Sequence, residues 1–344
     1  VIYDGLRVVD CTTGIAGAYC TKLLTDLGAD VVFGAPVDGD ALFAYLRTSQ
    51  RRADDLDPWV AAADVVVVGE SEWSPIPRPG PLVTVSITAL GHGGPDDGLD
   101  VPEEVLQARS GSLSAHGYAH LPPLTVGGRL GEYIVGAFGA LGAVTAWWRA
   151  SRTGVAETVD ASMLEAIQMT YVTTPTLMAR FPGGRRQSFR WVMIPGNEPA
   201  GDGRFVGITT VTAPQWQALA RVLGRPDLAD DDELGTMIGR FRRADEVNGA
   251  IHAYTRQHTA DEIVAACVDA RVPAAIVGNG AELPRNEQLA ARGVFVRQPG
   301  EPWIRPRAPF RFHRVPDREL VAPGVASGPW QPRTRPAPSP DRSV

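Results

Sequence analysis

Gly127, Gly128 and Gly131 surround Arg129 and Leu130 and lead directly to Glu132, the first acid of an apolar run that continues to Trp147 and Trp148. Glycine lacks the Cβ atom that keeps a ligand away from the backbone. A helix N-terminus adds unpaired N–H groups and a partial positive charge, which favour an anion. Glu132 is therefore either a charge complement to its helix or a positioned nucleophile, and the local sequence leaves both open. Other candidate chemistry is sparser. Cys11, Cys20 and Cys267 have no metal-ligand spacing and are odd in number, so reduced thiols, no metal and a cytoplasmic setting are expected. Cys20 reads as a packed helix residue. Thr13, Gly14, Ile15, Ala16 and Gly17 fall short of the Gly-x-Gly-x-x-Gly dinucleotide fingerprint, which argues against a nicotinamide enzyme.

The elements that must position Glu132 follow from hydrophobic period. Short apolar strands are expected at 6–10, 29–33, 64–68 and 82–88, with helices at 18–27, 57–62, 102–109, 132–150 and 163–178. The opening strand, small-residue loop, helix and strand form a βαβ unit, the start of a parallel sheet. Such sheets bind ligands beyond the carboxyl ends of their strands, which selects the loops at 11–17, 69–71 and 88–94. A smaller α+β region is expected from about 201, with strands near 203–211 and 272–277 and helices at 214–223, 240–258 and 260–270. The organisation read from this pattern is a large domain over 1–183, a linker over 184–200 and a small domain over 201–292. A return segment follows over 293–322, and a tail over 323–344 has little to bury and is expected to be disordered.

The chain has 344 residues, enough for about two domains, with 44% hydrophobic and 21% charged residues. Its formal charge of −6 argues against nucleic acid or an anionic membrane as the main partner. Lys22 is the lone lysine among 33 basic residues. The apolar run over 134–148 is about 15 residues, short of the ~20 that cross a bilayer, so a buried helix is expected. The chain opens at Val1 on a strand approach, and no signal peptide is expected there.

In their order, many segments resemble CoA-transferase family III, the CaiB/BaiF group that includes formyl-CoA transferases and α-methylacyl-CoA racemases. The resemblance is carried by 5–12 with Ala16 and Gly17, by 24–32 and 63–67, and by 85–87 with Gly94 and Pro95. It continues through Gln107 to Gly111, Pro122 and Pro123, Val126 to Gly131, and Arg152 to Gly154 with 159–165. Trp216, 223–228, 272–275, 288–293 and 308–312 complete it. The resemblance implies an α/β fold: a Rossmann-like large domain with a parallel sheet and a smaller α+β domain. It also implies two open monomers interlocked as a homodimer, or paired with a second family III half.

By the same resemblance Glu132 takes the catalytic position, where transferase members carry Asp. CoA contacts fall on Ile15, Ala16, Gly69, Glu70, Thr88, Ala89, Leu90 and Gly91. The implied substrates are an acyl-CoA and a carboxylic acid acceptor, with no tightly bound cofactor. The implied chemistry is attack of the carboxylate on the thioester, a mixed anhydride and then an enzyme–CoA thioester. Two alternatives accompany this. One is an inactive dimerisation partner, half of a fused two-copy chain, because Thr13 and 33–36 lack the usual basic residues. The other is a racemase, which would need His116 or His120 beside the acid. Arg47, Arg51 and Arg52 are candidates to meet nucleotide phosphates.

Overall fold

The computed structural model describes residues 2–35, 40–69, 83–117, 121–171, 194–316 and 318–331. The chain gathers into two compact units. One comprises Val1–His116, Pro122–Phe189 and Arg292–Val344; the other comprises Gly117–Leu121 and Arg190–Ala291.

The larger unit is built on a seven-stranded sheet in the order Gly324–Val325, Arg51–Arg52, Asp30–Phe33, Arg7–Asp10, Val65–Val68, Val83–Thr88 and Glu157–Ser162. Its strands are β1 (Arg7–Asp10), β2 (Asp30–Phe33), β3 (Arg51–Arg52), β4 (Val65–Val68), β5 (Val83–Thr88), β6 (Glu157–Ser162) and the short edge strand Gly324–Val325. Every pairing is parallel. Alternation along the valine-rich strands divides the core in two. Val8, Val31, Val65, Val67, Val83 and Val85 face α1 (Ile15–Asp26) and α5 (Leu130–Thr153). Val9, Val32, Val66 and Val68 pack with Trp59, which lies on α3 (Asp57–Val60). Both faces are covered, which is why these strands read as unbroken apolar runs.

Three strand assignments go beyond the pattern in the sequence. Arg51–Arg52 pairs with Val32 and Phe33 on one side and with Gly324 and Val325 on the other. Glu157–Ser162 pairs with all of β5, although it is not among the expected strands. The first part of the tail expected to be disordered, up to residue 331, instead closes the sheet edge, and 332–344 lie outside the described residues. Val325 extends the sheet, and Trp330 stacks edge-on against Trp59 with ring centroids 4.9 Å apart and donates to Asp30 over 2.8 Å. One large aromatic ring supplies the apolar area that the rest of this segment lacks.

The helix α5 is also longer than its apolar run, at 24 residues, and ends at Gly154 in the left-handed region. Among the described residues it is the one helix long and apolar enough to cross a membrane by length and composition. Its inner face, with Gly136, Gly139, Ala140, Ala143, Ala146 and Ala150, is buried on the sheet and α1, while Phe138, Leu141 and Trp148 are exposed. Small residues are required on the inner face. A Cβ at Gly136 would come within 2.5 Å of the Ala16 carbonyl oxygen, and one at Gly142 within 2.6 Å of Val159. Helix 163–178 is observed as α6 (Met163–Tyr171), and its remainder lies outside the described residues.

The 293–322 segment lies against the larger unit. The Gln298 side chain donates to the Ala44 carbonyl over 3.0 Å, and Arg318 to the Thr25 carbonyl over 2.7 Å.

The smaller unit has an antiparallel sheet of β7 (Asn197–Pro199), β8 (Phe205–Ile208) and β9 (Ala274–Ile276). Its core surrounds Trp216, whose indole N–H donates to the Leu228 carbonyl over 3.1 Å. The single helix expected over 240–258 is two, Met237–Arg242 and Ala244–Thr255. The break is at Arg243, whose backbone leaves the helical region; within the first helix Arg240 turns inward, wholly buried, and donates to the carbonyls of Ile194, Leu234 and Thr210. A guanidinium with three carbonyl acceptors offsets its burial, and periodicity does not foresee that.

Candidate active site

The strand order places a topological switch between β1 and β4. From β1 the chain winds to β2 on one side, while β4, β5 and β6 extend the other side. In parallel sheets the loops at such a switch diverge and leave a crevice at the carboxyl ends. The loops after β1, β4 and β5 therefore lie side by side, and these are the three that strand-end reasoning selects. α1 starts from the first of them with Gly14 as its N-cap and no capping side chain. The close approach of Gly136 to Ala16 brings the head of α5 to the same edge.

At that head, Gly128 (φ +82°) and Arg129 (φ +55°) both occupy the left-handed region, where an L side chain is unfavoured, and they turn the chain sharply into α5. A Cβ at Gly127 or Gly128 would meet nothing within 4 Å, so this loop borders open space. Gly131 has a different role from the one expected. Its Cβ would lie 2.9 Å from both Glu103 Cδ and Ile167 Cδ1, so its missing side chain is filled from within rather than cleared for a ligand.

Glu132 has a side chain 12% exposed, and it is held from two directions. Arg129 Nε donates to its Oε1 over 2.8 Å, and the same guanidinium reaches that oxygen again through Nη2. From behind, Glu103 Oε2 accepts the Glu132 backbone N–H over 3.3 Å. Glu103 lies on α4 (Glu103–Arg109), is buried, and accepts from Gln107 Nε2 over 2.8 Å. Gln107 also donates to the Val126 carbonyl over 2.9 Å and accepts the Val126 N–H over 2.8 Å. α4 thus clamps both the glycine loop and the first turn of α5. Neither Glu103 nor Arg129 was singled out by sequence reasoning. The available signals were the matched segments themselves, Gln107 to Gly111 beside Glu103 and Val126 to Gly131 around Arg129.

The expected CoA contacts are placed as follows. Ile15 is buried, leaving its backbone at the head of α1, and Ala16 is half-buried against Gly136. Gly69 follows β4 and is half-buried; Glu70 lies outside the described residues. Thr88 and Ala89 are buried, and Leu90 is partly so. Thr88 Oγ1 accepts the Gly91 N–H over 2.9 Å, and the Ala89 carbonyl accepts from Leu164 over 3.0 Å. Gly91 (φ +79°) rests on Ser162 and Asp160. This loop is rigidly built and faces inward with most of its side chains.

Beyond Gly91, His92 anchors the same loop. Its Nε2 is 2.9 Å from Ser86 Oγ, its Nδ1 is 3.1 Å from Asp97 Oδ1, and its backbone N–H donates to Asp160 over 3.0 Å. The Gly93 N–H and the His92 ring hold Asp97 below the usual carboxylate range. The order resembles a hydrolase triad, but Ser86 is wholly buried, so these bonds pin the loop to β5 and β6.

The arginines expected near phosphate are engaged elsewhere. Arg47 is fully buried, with Nη1 donating over 2.6 Å to Asp10 Oδ2 and its guanidinium 4.5 Å from the Phe33 ring centroid. Asp10, at the end of β1, also accepts from Thr21 Oγ1 and from the N–H and hydroxyl of Thr12. The pair thereby fixes the first loop. Arg51 pairs with Asp30 over 2.7 Å, and Arg52 with Asp54 over 2.8 Å. Burial pushes the Cys20 thiol well above its ordinary range, in keeping with a packed role. His116 follows the short helical turn Ser112–Ala115, and His120 lies outside the described residues. Among the described residues, no cluster of three or more His, Cys, Asp or Glu side chains is arranged to hold a metal.

Comparison with known proteins gives a consistent result. Residues 3–57 and 78–325 match the family described as CoA-transferase family III. The alpha subunit of a succinyl-CoA–L-malate CoA-transferase of Chloroflexus aurantiacus is 26% identical over 333 residues, covering 85% of this chain and 78% of that protein. A probable CoA-transferase of Mycobacterium tuberculosis is 25% identical over 366 residues, covering 94% of this chain and 46% of that protein. A CaiB/BaiF family protein of Brucella suis has the same fold, with a TM-score of 0.79 at 21% identity, over 94% of this chain and 95% of that one.

Proposed function

This chain belongs to CoA-transferase family III, and on that premise we propose that it moves CoA from an acyl-CoA to a carboxylic acid through a covalent intermediate on Glu132. The carrying observation is the placement of the Glu132 carboxylate. It stands at the head of α5, beside an open glycine loop, at the carboxyl edge of the sheet, with α4 fixing its backbone. A carboxylate is a competent nucleophile toward a thioester, and its anhydride stays reactive enough to pass the acyl group on. Glutamate carries one methylene more than the aspartate of the transferases, and the Arg129 contact gives that longer side chain a defined position. CoA would lie along the loops after β1, β4 and β5, drawing on the backbone of Ile15, Ala16, Gly69 and Thr88 to Gly91, with Glu70 beyond Gly69.

A homodimer is part of this proposal. Phe138, Leu141 and Trp148 on the outer face of α5 give an exposed apolar stripe of the kind that protein interfaces cover. The second reading, an inactive half of a two-copy chain serving as dimerisation partner, is favoured by one observation: this chain spans 46% of its relative from Mycobacterium tuberculosis.

The test is to incubate the protein with succinyl-CoA and examine the peptide bearing Glu132 by mass spectrometry. A CoA adduct there, absent in Glu132→Gln, supports the transferase. CoA binding without any adduct in the wild type would overturn it, and no CoA binding at all would favour the inactive half. Exchange of the α-proton of a branched acyl-CoA with solvent deuterium, without transfer, would replace it with racemase chemistry.

A further inference from the structure

Arg129 is an unusual residue to find on Glu132. Its side chain is 61% exposed, whereas that of Glu132 is 12% exposed, so the cation is open to solvent while the anion is sheltered. It occupies the N-cap of α5 in the left-handed region (φ +55°), where glycine would be favoured, as at the preceding Gly128. Among the described residues no other carboxylate pairs with it.

The reaction proposed above changes this pair. The Glu132 oxygen attacks the donor thioester, CoA thiolate leaves, and an anhydride forms. The thiolate then attacks the Glu132 carbonyl of the anhydride and expels the donor acid as a carboxylate. Glu132 is now a neutral thioester. Its negative charge has departed with the donor acid, and Arg129 is left with its donors unanswered beside the carbonyl that must next be attacked. A guanidinium matches a carboxylate in charge and in its paired donors.

We propose that Arg129 is the acceptor-binding residue: it is masked by Glu132 in the free protein and unmasked when Glu132 becomes the CoA thioester, when it binds the incoming carboxylate. This rests on Glu132 as nucleophile and adds the order of events. The acceptor carboxylate then attacks the Glu132 thioester carbon and expels CoA thiolate. The thiolate in turn attacks the acceptor's carbonyl in the new anhydride, releasing the new acyl-CoA and restoring the Glu132 carboxylate. The restored anion competes for Arg129, so the device resets itself. Its ligand class is small carboxylic acids.

Binding tests this without turnover, because Glu132→Gln reproduces the loss of charge. With L-malate as probe, calorimetry is expected to find at least about 10-fold tighter binding to Glu132→Gln than to wild type, the range of a charge-assisted hydrogen bond. The double variant Glu132→Gln/Arg129→Gln is expected to lose that gain, and Glu132→Gln/Arg129→Lys to keep part of it. Equal binding to wild type and Glu132→Gln, or a gain that survives loss of Arg129, overturns the proposal. A kinetic arm separates it from the reading it rests on. In Arg129→Gln, labelling of Glu132 by succinyl-CoA should slow as the carboxylate loses its Arg129 contact, but discharge by malate should be impaired at least about 10-fold more than labelling. Discharge of the adduct should need roughly 10- to 100-fold more malate for half-saturation. Equal slowing of labelling and discharge would assign Arg129 a structural role. Absence of an adduct in wild type would instead remove the nucleophile itself.

Discussion

The buried carboxylate of Glu103 accepts the backbone N–H of Glu132 across 3.3 Å, so the candidate nucleophile is placed by a second acid from a different helix. An anion in this position also complements the helix dipole of α5. Glu103→Ala should lose about 1–3 kcal/mol of stability, since the Gln107 amide and the Glu132 N–H lose their acceptor. Labelling of Glu132 by acyl-CoA should slow with it. Denaturant unfolding together with adduct formation checks both, and unchanged labelling would detach Glu103 from the site.

The length of the nucleophile can be tested directly. Glu132→Asp draws the carboxylate back by ~1 Å and away from Arg129, a displacement that costs about 10²-fold in rate when the surroundings are unaltered. Single-turnover CoA transfer should fall by that order, and Glu132→Gln should give none. An Asp variant as fast as wild type would mean that the site is built for the shorter side chain.

Gly136→Ala should be among the most disruptive small substitutions in α5, because its Cβ would meet the Ala16 carbonyl oxygen at 2.5 Å. Backbone cannot swing aside as a side chain can, so about 1–3 kcal/mol is expected from overpacking. The head of α1 should shift with it. Gly127→Ala, whose Cβ would meet nothing within 4 Å, is the matched control and should leave stability near wild type.

The Asp10–Arg47 pair should matter most when half of it is removed. Arg47→Met leaves a buried carboxylate without its cation, for which about 3–5 kcal/mol of destabilisation is expected. Replacing both residues with apolar ones of similar volume should recover much of that. Thermal unfolding of the two single variants and the double variant decides the point.

Thiol reactivity gives a pH test. Burial raises the Cys267 thiol to about 11 from an ordinary 9.0 and raises Cys20 further. A raised thiol stays protonated in the folded protein while the unfolded chain ionises. Its contribution to stability is therefore complete below pH 9 and is lost as pH rises through the folded value. At pH 8 an alkylating reagent should modify half-buried Cys11 and spare Cys20 and Cys267 until the protein unfolds. Peptide mapping of the native protein reads this out.

The elements of the larger unit are legible in the sequence wherever one residue pattern repeats. The valine runs of β4 and β5, the βαβ opening and the glycine- and alanine-rich face of α5 each declare a buried surface through local period alone. The same period selected the loops at the sheet edge, and the glycines before Glu132 marked the acid. What local pattern lacks is the identity of distant partners. Arg51–Arg52 is too short and too polar to show a strand period, and it becomes one only between Phe33 and Val325. Arg240 is buried because carbonyls from three separate segments converge on it. Arg47 reads as a candidate phosphate contact until Asp10, 37 residues earlier, is found to hold it. Glu132 follows the same rule: its residue type and helix position are local properties. The Arg129 that covers it and the Glu103 that holds its backbone act through hydrogen bonds, and only the packing of α4 against the head of α5 brings the latter within reach.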